Sequence, residues 1–163
     1  VMIGAFPLCP VTAQVPNEYA AKAAFLYNVM LFSAFPGAGN GTIRLCVLGR
    51  DPFSGGLNML EGKEIGSSKL TIGYPRSSTE AFKQCQAVFV ALSEADNILA
   101  IANLGKEAGV MTISDVEGSA RKGVMVELYI ENNKIAFEFN NDSAHSAKIS
   151  LSSKVIRLAK SVY

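Results

Sequence analysis

The sequence has no tryptophan, one histidine and three cysteines among its 163 residues. A lone histidine cannot build an all-histidine metal site. No two cysteines form a C-x-x-C pair, which excludes a zinc knuckle or a thioredoxin-like motif. Charge is sparse too: Asp, Glu, Lys and Arg make up 18% of the chain and nearly cancel, leaving +1. Basic residues cluster nowhere, so the concentrated Lys and Arg of a nucleic-acid-binding face are missing. Internal repeats and low-complexity linkers are absent, and residues 14–163 read as one domain. What is plentiful is apolar: 49% of residues are hydrophobic, enough for one sizeable core and too many for a disordered chain.

The apolar surplus begins at once. Residues 1–13, VMIGAFPLCPVTA, carry no charge and end in Val-x-Ala. Small residues three and one before a cut are what signal peptidase accepts, so the stretch reads as the back half of a secretory signal. A buried strand or arm is the plainer alternative. Leu8, not a small residue, precedes Cys9, which argues against a lipid anchor. Export would leave Cys46 and Cys85 as an even pair in an oxidising compartment. A bridge between them would close a loop of about 40 residues, worth about 4 kcal/mol in the chain-entropy model. Two buried free thiols, packing as small apolar groups, are the other reading.

NEYAAKAAFLYNVMLFSAFP, residues 17–36, predicts a helix from Asn17 to Phe35 that is apolar on nearly every side. Asn17 is a good N-cap, and Glu18 and Lys22 are spaced to pair on the exposed side. Lys22 and Asn28 would be costly in lipid, so the helix is expected to pack within protein rather than span a membrane. Ala20, Ala24, Tyr27 and Leu31 are expected to face the sheet. Phe25, Val29 and Phe32 are then the side offered to a second subunit, as in a homodimer, or to another partner. Cover by the C-terminal helix of the same chain is the alternative.

Short apolar segments then alternate with helical ones. Strands are expected at 42–49, 69–74, 87–92 and 110–115, with a turn and short helix at 51–60 and a helical turn before Cys85. An amphipathic helix follows at 93–109, capped by Ser93, with Ile98, Leu99 and Ala102 on one side. This order implies right-handed crossovers and a mainly parallel sheet. Segments 124–130 and 134–139 flank Asn132-Asn133 and alternate in polarity, which predicts an antiparallel hairpin. SLSSKVIRLAKSVY reads as a final helix with Leu151, Val155, Leu158 and Val162 as its buried stripe. The expected fold class is α/β: a mainly parallel sheet flanked by helices, with a C-terminal antiparallel hairpin and a final helix, forming an α/β sandwich.

Chemistry is harder to find. LGRDPFSGG follows a strand but lacks both the P-loop and the dinucleotide-binding spacing, so it reads as a turn that starts a short helix. His145 lies near Asp142 and Ser143, yet a triad needs groups that converge from different elements, and these sit within one helical turn. Asp51, Ser93 and Asp115 all follow strands, and open sheets bind ligands at the carboxyl ends of their strands. These three bound a candidate small-ligand pocket. No nucleophile–base pair, metal-ligand set or cofactor motif is legible, so the expectation is a protein without metal, cofactor or enzymatic activity.

Several segments, taken in order, resemble the YfiR family of bacterial periplasmic proteins. They are EYAAKAAFLYN with its following aromatic-Pro step, IRLCVLGRDPF, a Cys before AVFVALSEA, MTISDVEGSARKGVMVEL, NNKIAFEFN and LSSKVIRLAKSV. The resemblance runs from Glu18 to Val162, and its opening and closing motifs are the specific ones. Members often carry Trp before the Pro that follows the first helix, where this chain has Phe35. The resemblance implies a compact α/β sandwich, often dimeric, and a disulfide that falls on Cys46 and Cys85. It also implies a non-enzymatic regulator in the periplasm. Such a protein represses an inner-membrane diguanylate cyclase through that enzyme's periplasmic domain, and an outer-membrane lipoprotein relieves the repression. A periplasmic small-ligand-binding module serving a transporter or receptor is the second expectation.

Overall fold

The computed structural model describes residues 18–36 and 41–163. The expected signal segment 1–13, with Cys9, and the expected cap Asn17 lie outside the described residues. In chain order the strands are β1 (Ser33–Ala34), β2 (Thr42–Leu48), β3 (Glu64–Ile65), β4 (Ser68–Gly73), β5 (Ala87–Val90), β6 (Met111–Ser114), β7 (Val126–Glu131), β8 (Lys134–Phe139), β9 (Ser150–Leu151) and β10 (Ser161–Val162). The helices are α1 (Glu18–Leu31), α2 (Ser78–Gln84), α3 (Ile98–Ala108), α4 (Asn141–Ser146) and α5 (Ser153–Ile156). Short 3-10 turns lie at Gly56–Leu60, Leu92–Asn97 and Ala120–Lys122.

The expected α/β architecture is present. One mixed sheet has the order β10-β8-β7-β6-β5-β2-β4-β3, and its middle strands β4, β2, β5, β6 and β7 run parallel. Parallel neighbours need crossovers, and α2 and α3 supply two of them. β7 and β8 form the antiparallel hairpin, turning at Asn132 and Asn133 with φ of 50° and 60°. A two-residue hairpin turn of this kind needs positive φ at both positions, which asparagine tolerates better than most residues.

Alternation along each strand splits the core into two layers. Ile43, Leu45 and Val47 of β2 join Phe89, Ile113 and Leu128 in the layer beneath α1. Cys46 and Leu48 point the other way and meet Val88, Val90, Ile98 and Ile101 beneath α2 and α3. Strands covered on both faces have no use for polar alternation, so β5 reads AVFV and is buried throughout. In the second layer Cys46 and Cys85 form a disulfide, with a Cα–Cα distance of 6.1 Å, that ties β2 to the residue following α2.

Four expectations need correction. First, α1 ends at Leu31, not at Phe35. The Phe32 N–H still donates to the Asn28 carbonyl, but Ser33 and Ala34 leave the helix to pair antiparallel with Leu151 and Ser150. Second, the expected sides of α1 hold only in part: Tyr27 packs on the core and Phe32 is exposed, but the others divide differently. Leu26, Val29 and Met30 are buried, while Ala20, Ala24 and Leu31 are exposed. Burial stabilises in proportion to apolar area, so Leu26, Val29 and Met30 face the sheet together with Ala23, while Ala20, Ala21 and Ala24 face water. Third, the last segment is not one helix. It forms β9, the single turn α5, and β10, and Leu158 and Val162 of the expected stripe are 71% and 50% exposed. The free edge of β8 offers unpaired backbone groups, and pairing there replaces helical bonds: the N–H groups of Lys160 and Tyr163 donate to the Phe137 and Phe139 carbonyls. Fourth, Ser93 does not cap α3. It sits in the preceding 3-10 turn, and Leu99 on α3 faces outward.

Candidate functional site

Asp115 follows β6 directly, and two side chains from α1 converge on it. The Lys22 ammonium donates to Asp115 Oδ2 at 2.8 Å and also to Glu18. The Tyr19 hydroxyl donates to the same Oδ2 at 3.0 Å. The expected Glu18–Lys22 pair therefore forms, but Lys22 is only 3% exposed and not on a wet side of the helix. The Tyr19 ring continues the arrangement inward, packing edge-on against Phe53, which packs edge-on against Phe89. Burial raises the Tyr19 hydroxyl above its ordinary pKa, with the Asp115 charge adding to it. For Lys22 burial acts in the opposite sense, yet the hydrogen bonds to Asp115 and Glu18 outweigh it and the ammonium is held more firmly than usual.

Beside this cluster an open cleft of about 480 Å³ is lined by Asp115, Glu117, Arg121, Glu127, Tyr129 and Glu138. Four carboxylates face one guanidinium, so the cleft has a negative field suited to polar or cationic groups. Glu127 is not free to act there. Its two oxygens accept from the Gly118 and Ala120 N–H groups at 2.7 and 2.8 Å, which shapes the loop that forms the rim. Arg121 donates to the Tyr163 hydroxyl at 3.1 Å, a bond that raises the guanidinium above its already high ordinary pKa. Burial, then the charges of Glu131 and Glu138, raises the Tyr129 hydroxyl. None of these groups pairs a nucleophile with a base. Among the described residues no His, Cys, Asp and Glu cluster has metal-holding geometry.

The three pocket residues expected from sequence do not converge. Asp115 lines the acidic cleft, whereas Asp51 and Ser93 do not. Asp51 turns back on its own loop and accepts from the Phe53 and Gly55 N–H groups at 2.8 and 3.1 Å, the turn expected of LGRDPFSGG. Ser93 accepts from the Arg50 N–H at 2.8 Å. That approach requires Gly49, which has φ of 96° and where a Cβ would lie 2.6 Å from Ser93 Oγ. Of the α1 residues expected to meet a partner, Val29 is buried and Phe25 rests on Phe137 with ring centroids 5.1 Å apart. Phe32 alone is exposed, at 48%. Sequence reasoning passed over Tyr19 and set Lys22 on the exposed side, so it missed that both meet Asp115. Their i, i+3 spacing places them on one helix face, which was the available signal.

The family model described as YfiR/HmsC-like matches residues 19–160. No curated protein matches the sequence. Among solved structures, the chain is similar to a conserved domain protein from Vibrio cholerae, with a TM-score of 0.62 and 10% identity over 86% of this chain and 60% of that one. It is also similar to an ABC domain in complex with L-Trp from Streptococcus pneumoniae, with a TM-score of 0.55 and 10% identity over 74% of this chain and 55% of that one. At such identity these two likenesses describe the fold, and the chain spans somewhat over half the length of each. The family match has wider reach, running from the second residue of α1 through the sheet and its hairpin to the residue before β10. The chain belongs to the YfiR/HmsC-like family.

Proposed function

We propose that this chain is a periplasmic regulator that represses a membrane-bound signalling enzyme, a diguanylate cyclase, by protein–protein contact and without catalysis of its own. The observation that carries this reading is the family match over residues 19–160. A disulfide between Cys46 and Cys85 suits an oxidising compartment. No helix among the described residues is long and apolar enough to cross a membrane, so the proposed contact is made through the folded surface. Leu31 and Phe32, 39% and 48% exposed at the end of α1, are the apolar groups offered there. They would meet a second copy of the chain in a homodimer or the periplasmic domain of the cyclase. Repression works by occupancy: the bound regulator favours the inactive state of that domain, and release shifts the population. The test is the cyclic-di-GMP level of the source bacterium with this gene deleted, beside wild type and a complemented strain. A rise that complementation reverses is expected, followed by capture of the cyclase periplasmic domain. An unchanged level would overturn the cyclase assignment.

The acidic cleft supports a second reading, a small-ligand-binding module associated with a transporter or receptor. Its volume of about 480 Å³ falls within the range of small-molecule sites. The streptococcal neighbour is a complex with L-Trp, but a 10% identity carries the fold and not the ligand. Thermal-shift screening with small metabolites separates this reading from the first.

A further inference from the structure

We propose that a second, cationic cavity, which shares Arg121 with the acidic cleft, binds a phosphate group, whether on a soluble molecule or on a lipid headgroup. The cavity, about 250 Å³, opens where α3, α4 and the 3-10 turn Ala120–Lys122 meet. Lys106, Arg121 and Lys122 line it, and Asp142 is the one carboxylate among its described lining residues. None of the three cations forms an ion pair among the described residues. The site therefore carries an excess of two positive charges, which matches the charge of about −1.5 to −2 on a phosphomonoester at pH 7 and exceeds that of a single carboxylate.

Two further observations describe how the cavity is built. Ser143 also lines the cavity and is only 3% exposed. Its N–H is bound to Asn140, but its hydroxyl has no hydrogen-bond partner among the described residues. Among the described residues the one fully buried side-chain atom without a partner is Ser119 Oγ, so the Ser143 hydroxyl opens into the cavity rather than being shut away from water. Gly123 forms the adjoining wall with φ of 107°, and a Cβ placed there would lie 3.3 Å from Lys106 Nζ and 3.6 Å from Ser143 Oγ. The ammonium and the hydroxyl thus both lie against the Gly123 backbone, where a side chain would crowd them. Asn140 holds this wall in place, donating to the Ala120 carbonyl and accepting from Ser143 N–H, both at 2.8 Å. An oxyanion in the cavity would accept charge-assisted bonds from Lys106 and a bond from the hydroxyl, with Lys122 and Arg121 closing the charge balance.

The test uses the full chain with its disulfide intact, at constant ionic strength. Inorganic phosphate and O-phosphoethanolamine are titrated by calorimetry, and phosphatidylcholine vesicles with and without phosphatidic acid are tested by sedimentation. Saturable binding of at least one probe is expected. Lys106→Gln and Ser143→Ala should each weaken it about tenfold, while Lys134→Gln in the hairpin leaves it unchanged. Binding of the soluble probes alone identifies a soluble ligand, and sedimentation with phosphatidic acid alone identifies a headgroup; both uphold the site. Should Ser143→Ala fail to fold, Lys122→Gln at an exposed position carries the same comparison. Absence of saturable binding by every probe, or binding that these cavity substitutions leave unaltered, overturns the proposal.

Discussion

The Lys22 ammonium stands 2.8 Å from Asp115 Oδ2, and through this contact the opening helix is fastened to the end of strand β6. Both side chains are nearly out of water, at 4% and 9% exposure. Removing one member of such a pair strands the other charge, which costs about 3 kcal/mol or more. Lys22→Met should therefore lower unfolding free energy in urea by about that much, and adding Asp115→Leu should recover part of the loss. A double variant whose loss equals the sum of the two single losses would show that the contact matters little.

Tyr19 and Lys22 give the fold an alkaline limit. Their folded pKa values lie above the ordinary 10.0 and 10.5. A group that holds its proton more tightly when folded contributes stability below the unfolded pKa and loses it as pH rises through the folded value. Stability should thus be level up to about pH 10 and fall beyond it. In a Tyr19→Phe, Lys22→Met variant the fall should be shallower. Parallel curves for the two proteins in urea titrations from pH 8 to 11.5 would refute the assignment.

The bridge between Cys46 and Cys85 closes a loop across the second core layer, with 39 positions separating its ends. Cys46→Ser with Cys85→Ser should cost about 2–4 kcal/mol, chiefly by freeing the unfolded chain. Dithiothreitol should lower the melting temperature of the native protein and not that of the variant. If repression depends on the folded form at growth temperature, the variant should also repress less; full repression would separate the bridge from function.

Val29 and Phe32 lie three residues apart on α1 and in its unwinding end, and they should respond differently to charge. Val29→Glu buries a carboxylate beneath the helix and is expected to unfold the protein or cost several kcal/mol. Phe32→Glu falls on an exposed site and should change stability by less than about 0.5 kcal/mol. It should nonetheless weaken capture of the cyclase periplasmic domain or self-association. Phe32→Glu with unaltered association on both counts would remove this end of α1 from the interface.

Much of the sheet was legible because its evidence is local. The runs TIRLCVL, AVFV and MTIS are bounded by turn residues, and Asn132-Asn133 announces its hairpin. The orientation of α1 was not legible, because a helix apolar all round carries little directional signal and the choice rests on side-chain size. The last segment misled for a related reason. Leu151, Val155, Leu158 and Val162 do have helical spacing, but the backbone is claimed by β8 and by Ser33 and Ala34, partners remote in sequence. Asp51, Ser93 and Asp115 were each placed correctly after a strand. What spacing could not supply was the direction of each side chain: Asp51 serves its own loop, and Ser93 accepts from Arg50 on the neighbouring one.

The pairing of Ser33 and Ala34 with Leu151 and Ser150, together with the bond from Ser152 N–H to the Phe32 carbonyl, has a consequence for the order of assembly. Contacts between segments so distant in sequence form late, since their closure entropy must be met before they reward the chain. A polypeptide emerging from its amino end holds the foot of its first helix unanchored until β9 has been made. Truncation before β9 should therefore release the far end of α1 as well as the missing strand, so the surface around Phe32 reports that β9 has been made and docked.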